Sequence, residues 1–190
     1  MPHYRAITTL FVPGLRGHVA EHWQTHMAAQ IPGSVTVEPI AENGLSREAR
    51  VAQVDAALNA IPGDVVIVAH SAGVLMTAFW DMVPTRRILG ALLVTPADVE
   101  APLPEGYPSF GDLAAGGWLP IPRSHLSFPA TVVASRNDPL ADFDRVAGLA
   151  HDWGADLHDA GAVGHLNPAA GYGPWPEGLS LWNGMISRIG

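Results

Sequence analysis

The sequence predicts an α/β protein: a six-stranded, mostly parallel sheet in the order 2-1-3-4-5-6, with helices on both faces and no large lid. Three observations carry this expectation. Short runs such as Val65 to Ala69 are unbroken and mostly β-branched, the pattern of strands buried on both faces. Segments with apolar residues at helical spacing lie between those runs. Pro-Gly pairs at 13–14, 32–33 and 62–63 punctuate the boundaries.

Each element has its own justification. Ala6 to Val12 is apolar and β-branched up to Pro13-Gly14, a first strand that delivers a tight loop. Glu21 to Gln30 reads as a helix, Val35 to Val37 as a short strand, and Ser46 opens a helix with Val51, Val54, Leu58 and Ile61 on one face. After the central strand, Val74 to Met82 forms an apolar helix stopped by Pro84. Ile88 to Val94, Ala130 to Ala134 and Asp156 to His158 are the remaining strands. Phe143, Val146, Ala150 and Trp153 mark a helix ending at Gly154, and Leu179, Trp182, Ile186 and Ile189 mark the closing one. From Pro96 to Pro129 the connection is rich in proline and glycine, with a short helix at Phe110 to Ala115. Its apolar residues Phe110, Trp118, Leu119 and Ile121 suggest packing over the site.

Composition narrows the function. With 190 residues, 48% of them hydrophobic, the chain has material for one domain (1–190) and little for an elaborate lid. Ten arginines, no lysine and eighteen acidic residues give a net charge of -8, which offers no electrostatic support for a nucleic-acid or anionic-membrane partner. The absence of cysteine removes disulfides, thiolate catalysis and cysteine-ligated zinc, and it fits a cytoplasmic setting. No leader peptide and no run long enough to cross a membrane is evident.

The chemistry centres on Ala69-His70-Ser71-Ala72-Gly73, between the central strand and the helix after it. A small-x-Ser-x-small turn at that place is a nucleophile elbow, whose flanking residues must be small because strand and helix backbones are pressed together. Ser71 could otherwise simply cap the helix. Asp138 follows the fifth strand and His165 the sixth, so all three side chains fall on the carboxyl edge of a parallel sheet. The chain order serine, acid, histidine is that of the α/β-hydrolases. His165 would accept the Ser71 proton and Asp138 would orient the imidazole, with Asp142 and Asp144 as alternative acids. Backbone amides of Ala72 and Leu15 would form the oxyanion site. His18-Val19-Ala20-Glu21-His22, continued by His26, also matches an inverted zinc-peptidase motif, a short match without an obvious third ligand.

With these residues placed, the sequence resembles the small serine hydrolases related to retinoblastoma-binding protein 9. The resemblance rests on Val12-Pro13-Gly14-Leu15 followed by His22-Trp23-Gln24, on the elbow, on Val132 to Pro139, and on Gly164-His165-Leu166-Asn167 leading into Gly173-Pro174-Trp175-Pro176-Glu177-Gly178. It implies a compact α/β-hydrolase fold, a Ser71, Asp138, His165 triad, and cleavage of small ester or related acyl bonds without a cofactor. Arg16 and His18 depart from the small residues and serine usual after Leu15 in that family, which bears on substrate preference. Binding to the retinoblastoma protein is not expected, because its Leu-x-Cys-x-Glu motif needs a cysteine. The expected partner is a small-molecule acyl substrate. A protein-binding module that keeps the fold without turnover is the alternative from another class.

Overall fold

The computed structural model describes residues 7–17, 19–40 and 42–189. Six strands form one sheet: β1 (Ile7–Val12), β2 (Val35–Thr36), β3 (Asp64–His70), β4 (Gly90–Val94), β5 (Ala130–Ala134) and β6 (Asp156–Asp159). Their order is β2-β1-β3-β4-β5-β6, as the sequence predicts, and every pairing among the described residues is parallel. The helices are α1 (Trp23–Ala28), α2 (Arg47–Ala60), α3 (Ala72–Trp80), α4 (Phe110–Ala115), α5 (Phe143–Asp152) and α6 (Pro176–Ile189). None is long and apolar enough to cross a membrane.

Alternation along the strands divides the core in two. On one face Leu10, Val65, Ile67, Leu93 and Val132 pack with Val54 and Leu58 of α2, all of α3 except its glycine and threonine, and Val146 and Leu149 of α5. Phe11, Val68, Leu92 and Val133 point the other way, onto Trp23 and Met27 of α1 and Trp182 of α6. The register pairs Val12 with Ala69, His70 with Val94, Val94 with Val133, and Ala134 with Asp159. The carboxyl ends of β1 and β3 to β6 are therefore level, which makes one edge of the sheet the natural place for a site.

Several boundaries differ from expectation, for local reasons. Ala6, the expected start of the first strand, lies outside the described residues. Only Trp23–Ala28 of the predicted Glu21–Gln30 helix is helical, because His22 acts as its N-cap and accepts the Gln24 amide at 3.2 Å through Nδ1. The second strand ends at Thr36, although Val37 still donates to the Phe11 carbonyl at 2.9 Å. α3 starts at Ala72, two residues earlier than expected, since the reversal is compressed into Ser71, and it stops at Trp80 before Pro84 is reached. The fourth strand begins at Gly90. The outer strands are slight: β2 has two residues, and β6 presents Asp156, His158 and Asp159, with His158 against Glu177 of α6 at 2.8 Å.

The connection between β4 and β5 is anchored at both ends. Arg145 of α5 grips Asp98 with Nε at 2.8 Å and Nη2 at 3.0 Å, while its Nη2 also reaches Glu100 at 2.7 Å. Farther along, the Trp118 indole donates to the Leu45 carbonyl at 2.8 Å. Trp118 and Ile121 are fully buried in the core, whereas Phe110 is 47% exposed and does not pack over the site as expected.

Candidate active site

The turn at Ser71 is forced by its neighbours. Ser71 itself has φ 57° and ψ -125°, a positive-φ conformation costly for any residue but glycine. Gly73 makes it feasible: a Cβ there would run into the Val12 carbonyl and lie 2.7 Å from that of Pro13. A Cβ on Gly14 would lie 3.3 Å from that of Ser71, so the loop after β1 presses directly on the serine. Ser71 donates its amide to the Val94 carbonyl at 3.0 Å, which pins the elbow to β4.

Ser71, His165 and Asp138 form one hydrogen-bonded chain. His165 Nδ1 lies 3.0 and 2.9 Å from the two Asp138 carboxylate oxygens, and its Nε2 lies 2.9 Å from Ser71 Oγ. A carboxylate can only accept, so Nδ1 carries the hydrogen and Nε2 of the neutral ring accepts from the hydroxyl. Both side chains of the His165–Asp138 pair are almost fully buried, at 5% and 1% exposure. Asp138 Oδ1 also accepts the Leu140 amide at 2.9 Å, which fixes the carboxylate plane. Asp142 and Asp144, the alternative acids, instead line a separate surface depression beside Arg136 and Arg145. Such a chain can withdraw the serine proton as Oγ attacks a carbonyl, then deliver it to a leaving group.

Groups that sequence reasoning missed hold His165 in place. The carbonyl of His165 accepts from His70 Nε2 at 2.9 Å and from Thr95 Oγ1 at 3.5 Å. Thr95 and Leu166 have φ 42° and 45°, so positive-φ residues follow β4 and His165 as well as β3. Asn137 Oδ1 accepts the Gly164 amide at 2.7 Å, and Ser135 Oγ accepts that of Val163 at 3.3 Å, tying the acid loop to the histidine loop. Their signal in the sequence was the Ser135-Arg136-Asn137 run before Asp138, and the histidine inside the elbow.

His70 lies between two other imidazoles, with ring centroids 4.5 Å from His22 and 4.9 Å from His165. Burial, joined by the neighbouring His165 and His22, holds its pKa well below the ordinary value, so it stays neutral. This arrangement also bears on the zinc motif. His18 lies outside the described residues, Glu21 is exposed, and His22 turns inward against His70 with Nδ1 on the Gln24 amide. No group of three His, Asp or Glu suited to a metal occurs among the described residues.

Ser71 and His165 open into a cavity of about 400 Å3, which Leu15 and Ala72 also line. Ala72 is the first residue of α3, so its amide has no acceptor within the helix. The loop carrying Leu15 is held by Arg50, a buried arginine of α2 that donates to the Leu15 carbonyl at 2.8 Å and to that of Gly44 at 2.6 Å. The opposite wall is apolar: Val99, Leu103, Tyr107 and Leu113 from the long connection, with Leu140 beside Asp138.

Comparison with known proteins agrees with this architecture. No curated protein matches the chain by sequence. Among solved structures, a YdeN-like hydrolase from Pectobacterium atrosepticum is 29% identical, with a TM-score of 0.80 over 96% of this chain and 92% of that one. The ydeN gene product from B. subtilis is 15% identical, with a TM-score of 0.74 over 96% of this chain and 100% of that one. Alpha/beta hydrolase domain-containing protein 10 from mouse is 12% identical, with a TM-score of 0.69 over 96% and 90%. The latter two share the α/β-hydrolase fold at identities that speak to fold alone. Residues 9–183 match the family model described as Serine hydrolase, nearly the whole chain, and the protein therefore belongs to the serine hydrolase family.

Proposed function

We propose that this hydrolase cleaves small carboxylic esters, or closely related acyl bonds, through an acyl-enzyme on Ser71, in one domain and without a cofactor. The hydrogen-bonded chain Asp138–His165–Ser71 at the floor of an apolar cavity carries this reading. Ser71 Oγ adds to the ester carbonyl while His165 Nε2 takes its proton. The Leu15 and Ala72 amides face the developing oxyanion, helped by the positive end of α3. Collapse of the tetrahedral intermediate breaks the bond to the alcohol oxygen, which leaves with the proton from His165. Water then enters by the same path and adds to the acyl carbon as His165 takes its proton; collapse breaks the bond to Ser71 Oγ, which recovers that proton from His165, and the acid is released. Asp138 keeps the imidazole in the tautomer that accepts from serine and stabilises the imidazolium formed in each half-reaction.

Cavity volume and lining favour a short to medium acyl chain. The motif resemblance to relatives of retinoblastoma-binding protein 9 supports the same roles, and the cysteine-free sequence supports a cytoplasmic setting. The test is labelling by a fluorophosphonate, with and without chelator. Wild type should label at Ser71 and hydrolyse p-nitrophenyl butyrate in both conditions, and Ser71→Ala should do neither, with a rate loss on the order of 10⁶. A folded Ser71→Ala variant that keeps a few per cent of the rate would rule the nucleophile out, and activity lost to chelator would reinstate a metal.

A further inference from the structure

Arg16 is a cationic side chain that sequence analysis singled out and the mechanism leaves unused. It lies on the loop after Leu15 and lines the cavity. Among the described lining residues no carboxylate appears, and no second arginine, in a chain of net charge -8. Its guanidinium carbon lies 5.4 Å from the centroid of the Tyr107 ring, which belongs to the opposite wall. That cation–π contact consumes none of the guanidinium N–H donors in a hydrogen bond. Arg16 makes no hydrogen bond or ion pair with any described residue. The contrast with other arginines is direct: Arg50 is spent on two carbonyls, and Arg123, Arg136 and Arg145 are all paired with carboxylates.

We propose that Arg16, steadied by Tyr107, binds a carboxylate on the substrate, so that the site selects monoanionic esters. The proposal rests on the serine esterase reading above and specifies its substrate class. One planar fork satisfies both oxygens of one carboxylate, and one positive charge balances one negative charge. A phosphate group carries nearly two negative charges, and among the described lining residues no second arginine stands beside Arg16 to balance the other one. An apolar wall with one cation at the rim suits an aliphatic or aromatic body ending in a single carboxylate.

The experiment compares wild type, Arg16→Gln and Tyr107→Leu on three esters. One is neutral p-nitrophenyl butyrate. The second, mono-p-nitrophenyl adipate, carries its carboxylate on the acyl part, and the third, butyryloxy-nitrobenzoate, carries it on the leaving group. The readout is each anionic ester's kcat/KM relative to the neutral one, followed across variants so that intrinsic reactivity cancels. Arg16→Gln should lower this ratio on the order of fivefold for at least one anionic ester, mainly through KM, as expected for a solvent-accessible ion pair. Tyr107→Leu should lower it less, and added salt should shrink the wild-type preference. The ester that responds tells which side of the scissile bond faces Arg16. Ratios unchanged by Arg16→Gln for both anionic esters, with the neutral ester still hydrolysed, would overturn the carboxylate site alone. Failure of wild type on every ester, with Ser71 unlabelled, would overturn the esterase reading beneath it.

Discussion

Gly73→Ala gives a demanding test of the elbow, because it adds one methyl group at a place with no free space. The new Cβ would meet the Val12 carbonyl and sit 2.7 Å from that of Pro13, and both contacts are backbone. No side chain can rotate away, so relief requires the Pro13–Leu15 loop to separate from α3 by about 1 Å. Overpacking of this kind costs about 2 kcal/mol, which for a chain of this length lowers Tm by about 4–8 °C. Activity should suffer more than stability. The loop that moves carries Leu15 and the helix that resists carries Ser71, and a misplacement of about 1 Å costs about 100-fold in rate. Tm by calorimetry and kcat/KM on p-nitrophenyl butyrate measure the two losses. Gly148→Ala is the control of opposite sign: its Cβ meets nothing within 4 Å inside α5, and it should gain up to about 1 kcal/mol with full activity. A Gly73→Ala enzyme with wild-type kcat/KM would refute both the tight elbow and the role given to the Leu15 loop.

Two further outcomes are expected. Asp138→Asn should lower kcat on the order of 10⁴ by favouring the wrong imidazole tautomer, whereas Asp142→Asn and Asp144→Asn should stay near wild type; steady-state kinetics that reversed this order would move the acid. His70 should make stability acid-sensitive. Its folded pKa is depressed, so its contribution is intact above the unfolded value of about 6.5 and is lost as pH falls below it, because only the unfolded chain then binds the proton. Urea midpoints of wild type should fall from about pH 7 to about pH 5, and His70→Gln should flatten that slope by up to about 1.4 kcal/mol per pH unit; parallel profiles would show that His70 is not held neutral.

The sheet was legible because its strands are buried on both faces and announce themselves as apolar, β-branched runs. Order followed from the elbow, since an oxyanion loop after the first strand requires that strand to neighbour the third. Convergence of Ser71, Asp138 and His165 was legible for the same reason: in a parallel sheet, chain order fixes which loops share an edge. The cavity wall was not. Phe110 looked like a packing residue and is exposed, whereas Leu103 and Tyr107 form the wall, because partners remote in sequence place that connection. Arg145 holds Asp98 across 47 positions and Trp118 reaches Leu45 across 73. The grip of His70 on the His165 carbonyl spans 95 positions and leaves no local periodicity to find. α1 was overdrawn because the helical spacing near Glu21 ignored the capping ability of His22.

The slight outer strands have a consequence of another kind. An open parallel sheet ends in two rows of unpaired peptide groups that can recruit a strand from a neighbouring molecule. Here one rim is only two residues long, too short for a stable ladder, and the other bears Asp156 and Asp159, the latter clasped by Arg136. A foreign strand would have to desolvate those carboxylates and displace the His158–Glu177 contact before forming its first hydrogen bonds. The sheet is thereby guarded against edge-to-edge aggregation, and substitutions that neutralise Asp156 and Asp159 together would expose that liability.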